Sequence, residues 1–323
     1  MFRDYRWKWA TLALLAAVVM INSCGQKAPK STVPADQQAA ADKALTWLRA
    51  QLQNDGSFNV GFGHPAGVTC DALLAIVAAG QDPAKWRAAE GLPSVVDYLA
   101  SSASEYAVDA ATTGKLIVAA VAAGQDPKSF AGTDWIARLQ ALARDGKTYD
   151  AFSEGQAWAI LALKAAGQQV PSAAVDVLRG YQLETGAWAS PFGPNNDTVS
   201  YVLQALKAAS QAIDSAPTQR ALAFFKEQQN EDGGFPAIKP SDWGTESNAN
   251  STANVIMALV AVGEKPTGER WTKAGGTPMK ALLALQAADG RIEFQPGIGE
   301  PLLSTVQAIP ALMNATLPLR ARK

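Results

Sequence analysis

The residues of this sequence that could do chemistry are carboxylates, amides and aromatic rings near the starts of a set of almost wholly apolar segments. They are Asp71, Asp109, Glu154 with Trp158, Asp197 with Tyr201, and Asn250 with Asn254. A long polar loop, 236–250, adds Trp243 and Glu246. Two carboxyls facing each other across a cavity can cleave a glycosidic bond. One supplies a proton, and the other activates water when the pair stands about 6.5–9.5 Å apart or attacks directly at about 5–5.5 Å. Glu154 with Asp197 or Glu246 is the pair to test for that work. Without such a pair, the same positions read as a ligand-binding mouth with aromatic faces and a polar rim. A competing use is structural, because Asp, Asn or Ser at a helix start caps free backbone N–H groups for about 1 kcal/mol. Asp197, Asn250 and Ser304 stand where caps are expected. Asp71, Trp158, Tyr201 and Asn254 share a phase four residues further in, which capping does not explain.

Metal chemistry has little to work with. The chain has one histidine and two cysteines, and zinc needs three or four nitrogen, sulfur or oxygen ligands. His64, Cys70 and Asp71 are the nearest approach to a set, so neither a metal nor any other cofactor is expected. The Asp-Gly pairs at 55–56, 232–233 and 289–290 lack the alternating oxygen ligands of a calcium loop and read as turns. Lys and Arg total 28 against 29 acids, with no basic stripe beyond Arg320, Arg322 and Lys323, so nucleic acid is not a partner.

A repeated two-helix unit must position these residues. Its clearest copy runs from 221 to 263: an amphipathic helix pattern ending in Asp232-Gly233-Gly234-Phe235, a polar loop, then a segment apolar on nearly every face, stopped by Gly263. Variants can be laid end to end from 41 to 319. The apolar helices align at Gly67, Ala111, Glu154, Asp197, Asn250 and Pro301, spaced 44, 43, 43, 53 and 51 residues apart. A near-constant period with insertions in one kind of loop marks a helical repeat array. Prolines in the first turn (Pro93, Pro217, Pro278) support the outer helix starts. The first helix of each unit carries charge on one face, whereas the second is dry all round and must be enclosed by protein. The expectation is an all-α fold, an (α/α)6 toroid of six hairpins with inner apolar helices ringed by outer amphipathic ones. Closure is expected because the last repeat lacks a plainly polar cap.

The N-terminus reads as a processing signal. Arg3, Arg6 and Lys8 precede an apolar run, 10–21, that is too short to span a membrane as a usual helix. It ends in Ile21-Asn22-Ser23-Cys24, which resembles a bacterial lipobox, and that resemblance implies cleavage before Cys24 and lipidation of its thiol. A disulfide between Cys24 and Cys70 is the other use of the pair. The expected domains are a signal peptide, 1–23; the lipidated cysteine with a flexible tether, 24–40; the toroid, 41–319; and a basic tail, 320–323.

The repeat ends carry a family likeness. Tyr181-Gln-Leu-Glu-Thr-Gly-Ala-Trp188, Gln228-Gln-Asn-Glu-Asp-Gly-Gly-Phe235 and Gln51-Leu-Gln-Asn-Asp-Gly-Ser-Phe58 resemble the Gln-x-x-x-Gly-x-Trp/Phe repeats of squalene–hopene cyclases and protein prenyltransferase β subunits. The resemblance implies an α/α toroid with ligand sites where the inner helices begin. The chemistry does not come with it. The Asp-x-Asp-Asp proton donor, the Asp-Asp-x-x-Asp ionisation motif, the zinc ligand set and the Cys-Gly-Glu-Gln thioester string of relatives are all missing here. The expected protein is a lipid-anchored component of the bacterial envelope, facing periplasm or exterior. It would bind a hydrophobic, amphipathic or glycan small molecule, or a peptide, at Asp71, Asp109, Glu154, Trp158, Asp197, Tyr201, Trp243, Asn250 and Asn254, without catalysis. A polysaccharide hydrolase or lyase is the alternative, and an atypical terpene cyclase using Asp71 is a third.

Overall fold

A computed structural model describes residues 33–319 apart from Gln211 and Trp243. The signal peptide, Cys24, the tether up to Thr32, Trp243 and the basic tail therefore lie outside the described residues. Within them the chain forms six helical hairpins. The first helices of the pairs are α1 (Ala35–Arg49), α3 (Val95–Tyr106), α5 (Trp135–Ala141), α7 (Ser172–Gly180), α9 (Ala216–Gln228) and α11 (Pro278–Ala284). The second helices are α2 (Pro65–Ala78), α4 (Ala110–Ala122), α6 (Ser153–Ala165), α8 (Asn196–Ala208), α10 (Ala249–Ala261) and α12 (Pro301–Leu312). Each second helix packs on the next in chain order, and α12 packs back on α2 and on α1. The ring is closed, as the apolar inner helices require.

The inner helices are dry for a simple reason: nearly every residue of α4, α6 and α10 is buried, and Leu116, Ile117, Ile160, Leu161, Val255 and Ile256 are fully so. Each such side chain contributes about 1.5–3 kcal/mol by leaving water. Two boundaries differ from expectation. The predicted tether runs to residue 40, yet α1 starts at Ala35, because Gln37, Ala40 and Ala41 already pack inward. Pro93 lies before α3 rather than in its first turn, since Ser94 caps that helix in a reciprocal box with Asp97.

The repeat motif closes the last three hairpins onto their successors. Gln286 donates to the Gly290 carbonyl of its own turn at 3.0 Å and to the Ala40 carbonyl of α1 at 2.8 Å, which seals the sixth repeat to the first. Gln229 and Gln182 make the same pair of bonds one and two junctions earlier. Gly290 has φ near 99°, and a Cβ there would sit 2.4 Å from the Lys43 carbonyl oxygen, so both conformation and close approach demand glycine. The first repeat departs from this scheme: four residues before Gly56 stands Leu52, and Gln51 reaches back to the Trp47 carbonyl of its own helix instead.

Candidate functional site at the inner-helix mouth

All six inner helices begin at one end of the barrel, so their first turns form its mouth. A pocket of about 480 Å³ opens there, lined by Glu154 of α6, Asp197 and Tyr201 of α8, Asn250 and Asn254 of α10, and Gln307 of α12. Phe192, in the loop before α8, stands at its edge and is 91% exposed. Beneath the mouth the barrel is nearly solid. A void of about 30 Å³ remains between Asp71, Trp158, Tyr201 and Asn254 above and Leu317 and Leu319 below, room for about two waters. The segment after α12 stops the lower end, where the Leu317 N–H donates to the Gln204 Oε1 at 2.8 Å.

The carboxylates meet different fates. Asp71 is paired with Lys115 of α4 at 2.7 Å, and the Lys115 Nζ also lies 5.8 Å from the centre of the Trp158 ring. Burial opposes the charge on Lys115, but Asp71, by charge and hydrogen bond, together with Cys70 and Glu154 more than offsets it, and the ammonium pKa ends above its ordinary value. Glu154 occupies the first turn of α6 and makes no hydrogen bond among the described residues. Burial pushes its carboxyl pKa up, against the pull of Lys115, and the nearby charges of Asp197, Asp150 and Asp71 add to the rise. Asp197 accepts from the Asn254 Nδ2 at 3.1 Å and the Ser251 Oγ at 3.4 Å, yet burial still raises it. Helix N-termini bring partial positive charge of about half a unit each, and here desolvation outweighs them. The amides themselves are spent: the N–H groups of Ser153, Asn196 and Ala249 donate to the carbonyls of Ala189, Ala237 and Phe294 in the following loops.

Several expectations need correction. Asp197, Asn250 and Ser304 do not cap; Asn195, Asn248 and Glu300 do, each two to four residues earlier. Asn250 and Ser304 instead bond each other across α10 and α12 at 2.7 Å. Asp109 is the N-cap of α4, locked with Thr112 in a capping box, and lines no part of the mouth pocket. Glu246 lines a different recess of about 450 Å³ beside Asp232, Lys280 and Ile298, so it does not face Glu154 across the mouth. The mouth gathers Glu154, Asp197, Tyr201, Asn250 and Asn254; Asp71 and Trp158 border the void below. His64 caps α2 through its Nδ1, and Cys70 is buried with its thiol pushed up to about 12 by desolvation, so neither is poised as a ligand.

Sequence reasoning missed Lys115 and Gln307. A lysine within an otherwise dry helix is itself a signal, because a buried ammonium needs a partner, and Lys115 falls at the same phase as Asp71. Gln307 borders both the mouth pocket and the void, and its Oε1 is buried with no hydrogen-bond partner.

With that geometry in hand, likeness to known proteins is informative about fold. Residues 168–296 match the squalene–hopene cyclase C-terminal domain family. A squalene–hopene cyclase from Zymomonas mobilis is 36% identical over 104 residues, which cover 28% of this chain and only 15% of that enzyme. Among solved structures, a type II terpene cyclase, MstE from Scytonema, caught with its substrate geranylgeranyl dihydroxybenzoate, superposes with a TM-score of 0.62 at 14% identity. The match covers 86% of this chain and 97% of that one. A glycosidase in complex with glucose superposes with a TM-score of 0.52 at 13% identity, over 86% and 96% of the two chains. The chain thus has the α/α toroid of the terpene cyclase-like fold, as its repeats predict. One fold here carries two reactions, so function rests on the residues of the site.

Proposed function

We propose that this toroid is a binding protein, which holds a small amphipathic or glycan-like molecule at the inner-helix mouth without transforming it. The reading is carried by the contrast in volume: about 480 Å³ at the mouth against about 30 Å³ inside the barrel. Ligand sites for drug-sized molecules run to about 300–1,000 Å³, so the mouth is large enough and the interior is not. A polyprenyl chain would find no enclosed apolar space in which to fold and cyclise. A diphosphate would meet Glu154 and Asp197 with no lysine, arginine or histidine among the lining residues. Attachment to the bacterial envelope through a lipid on Cys24 is part of the same proposal, with the ligand met on the periplasmic or outer side. Among the described residues no helix is long and apolar enough to cross a membrane.

The test is native mass spectrometry of the full-length protein extracted from its own envelope. A small molecule that co-purifies, and is lost on replacing Glu154 and Tyr201 together, is the expected result; a bare chain in every preparation would overturn the reading. For the anchor, Cys24→Ser should abolish incorporation of labelled fatty acid and release the protein from membranes.

One observation favours a second reading, glycoside hydrolysis. Glu154 is unpartnered, its carboxyl is raised by burial as a general acid requires, and Asp197 lines the same pocket. Release of reducing ends from envelope polysaccharide, abolished by Glu154→Gln, would establish that reading in place of simple binding.

A further inference from the structure

We infer that the molecule held at the mouth carries a positive charge, an organic ammonium seated between Glu154, Asp197 and the Tyr201 ring. The inference rests on the mouth being the ligand site and adds the chemical class of what it takes.

The barrel itself shows how it treats a desolvated carboxylate. On its first side Asp71 is met by the Lys115 ammonium at 2.7 Å, and the Trp158 ring lies 5.8 Å from the same nitrogen. Carboxylate, ammonium and aromatic ring make one unit supplied wholly by the chain. Two repeats further round, one turn nearer the helix starts, the chain supplies two members of that unit and omits the third. Glu154 and Asp197 are the carboxylates, and Tyr201, whose ring centre lies 5.3 Å from that of Trp158, is the aromatic. The position equivalent to Lys115 is Trp158 in α6, Tyr201 in α8 and Asn254 in α10, so these helices add no cation of their own, and Lys115, whose charge reaches Glu154, is already paired with Asp71. No basic side chain lines the pocket at all.

Three further details point to the same chemistry. Glu154 has no hydrogen-bond partner among the described residues. The Gln307 Oε1 is a buried acceptor without a donor, on the border of the pocket. Phe192 projects beside them almost fully exposed, an apolar face for the body of the ligand. Two carboxylates thus line the pocket with no basic side chain among its lining residues. An anion would be repelled, and a neutral polyol would leave the carboxylate charge uncompensated in a poorly solvated place. An ammonium satisfies both, and aromatic rings near carboxylates are a recognised seat for it.

Choline and its neutral carbon isostere 3,3-dimethylbutan-1-ol have nearly the same shape and differ in charge, so they isolate the claim. Calorimetric titration of the full-length protein in detergent should show choline binding at least tenfold more tightly than the isostere. Glu154→Gln should erase most of that preference while leaving binding of the isostere unchanged, with the melting curve confirming that the variant is folded. Equal binding of the two probes would overturn the charge while leaving the mouth as the site. So would glucose or maltose binding in the absence of any choline binding. Choline binding that survives in both Glu154→Gln and Asp197→Asn would instead remove the mouth as the ligand site.

Discussion

The two sides of the barrel, Asp71–Lys115 and, one turn nearer the helix starts, Glu154–Asp197, treat their carboxylates in opposite ways. On the first side a largely buried acid and a largely buried base come from adjacent inner helices and satisfy one another. On the second, two half-buried acids line the mouth, one with two side-chain donors and the other with none. The first side is complete as a structure. The second is incomplete, and incompleteness of this kind is what a binding surface looks like before its ligand arrives. The lesson is that a carboxylate at a mouth is not informative by its type; what matters is whether the chain has already answered it.

Breaking the complete side should cost most. Lys115→Met leaves the Asp71 carboxylate buried and alone, and should destabilise the fold by about 3–5 kcal/mol in urea unfolding. Adding Asp71→Asn should recover more than half of that loss, because what costs is the stranded charge and not the missing pair. A loss equal in the double variant would mean that Lys115 acts through its packing on Trp158 instead. Next in size is Gly114→Ala. A Cβ at Gly114 would come within 2.7 Å of the Trp158 backbone carbonyl, so α4 and α6 must part. A cost of about 1–3 kcal/mol is expected, visible as a lowered melting temperature.

The incomplete side should respond with the opposite sign. Burial holds the Glu154 pKa above its ordinary 4.5, so the folded state binds a proton more tightly than the unfolded chain. Stability is therefore fullest below the ordinary value, falls as pH rises through the window between that value and the raised one, and stays reduced above it. Glu154→Gln removes this penalty. It should stabilise the protein by about 1 kcal/mol at pH 7.5 and change nothing at pH 4, which unfolding curves at the two values will show. A destabilising effect at pH 7.5 would mean that the carboxylate has an attractive partner. The smallest effect tests a residue excluded from the site. Asp109→Ala should lose a helix cap worth about 1 kcal/mol at most and leave ligand binding unaltered in the same titration.

Much of the fold was legible because a closed ring of repeats is written in local signals. Apolar residues recur on every face of the second helices, a glutamine four residues before the turn glycine recurs in the last three repeats, and the period near forty-four residues leaves little topological choice. The site was legible in part. Phase alone brought Asp71, Trp158, Tyr201 and Asn254 to one level of the barrel. Caps were misassigned by two to four residues, since Asn195, Asn248 and Glu300 compete with their neighbours for the same amides and the loop path decides among them. Glu246 was legible as an acid in a long loop but not as a resident of another recess.

The amino-acid sequence by itself determined that six hairpins must bury their second helices against one another, because a helix dry on all sides has no stable place in water. It also determined that the carboxylates would gather at one end, since every inner helix begins there. Only the tertiary structure decided which of them would be answered. The distance from Asp71 to Lys115 and the solitude of Glu154 depend on how neighbouring helices rotate and approach. So does the plug of Leu317 and Leu319 that fills the barrel. Charges find partners across space, and no spacing along the chain records that.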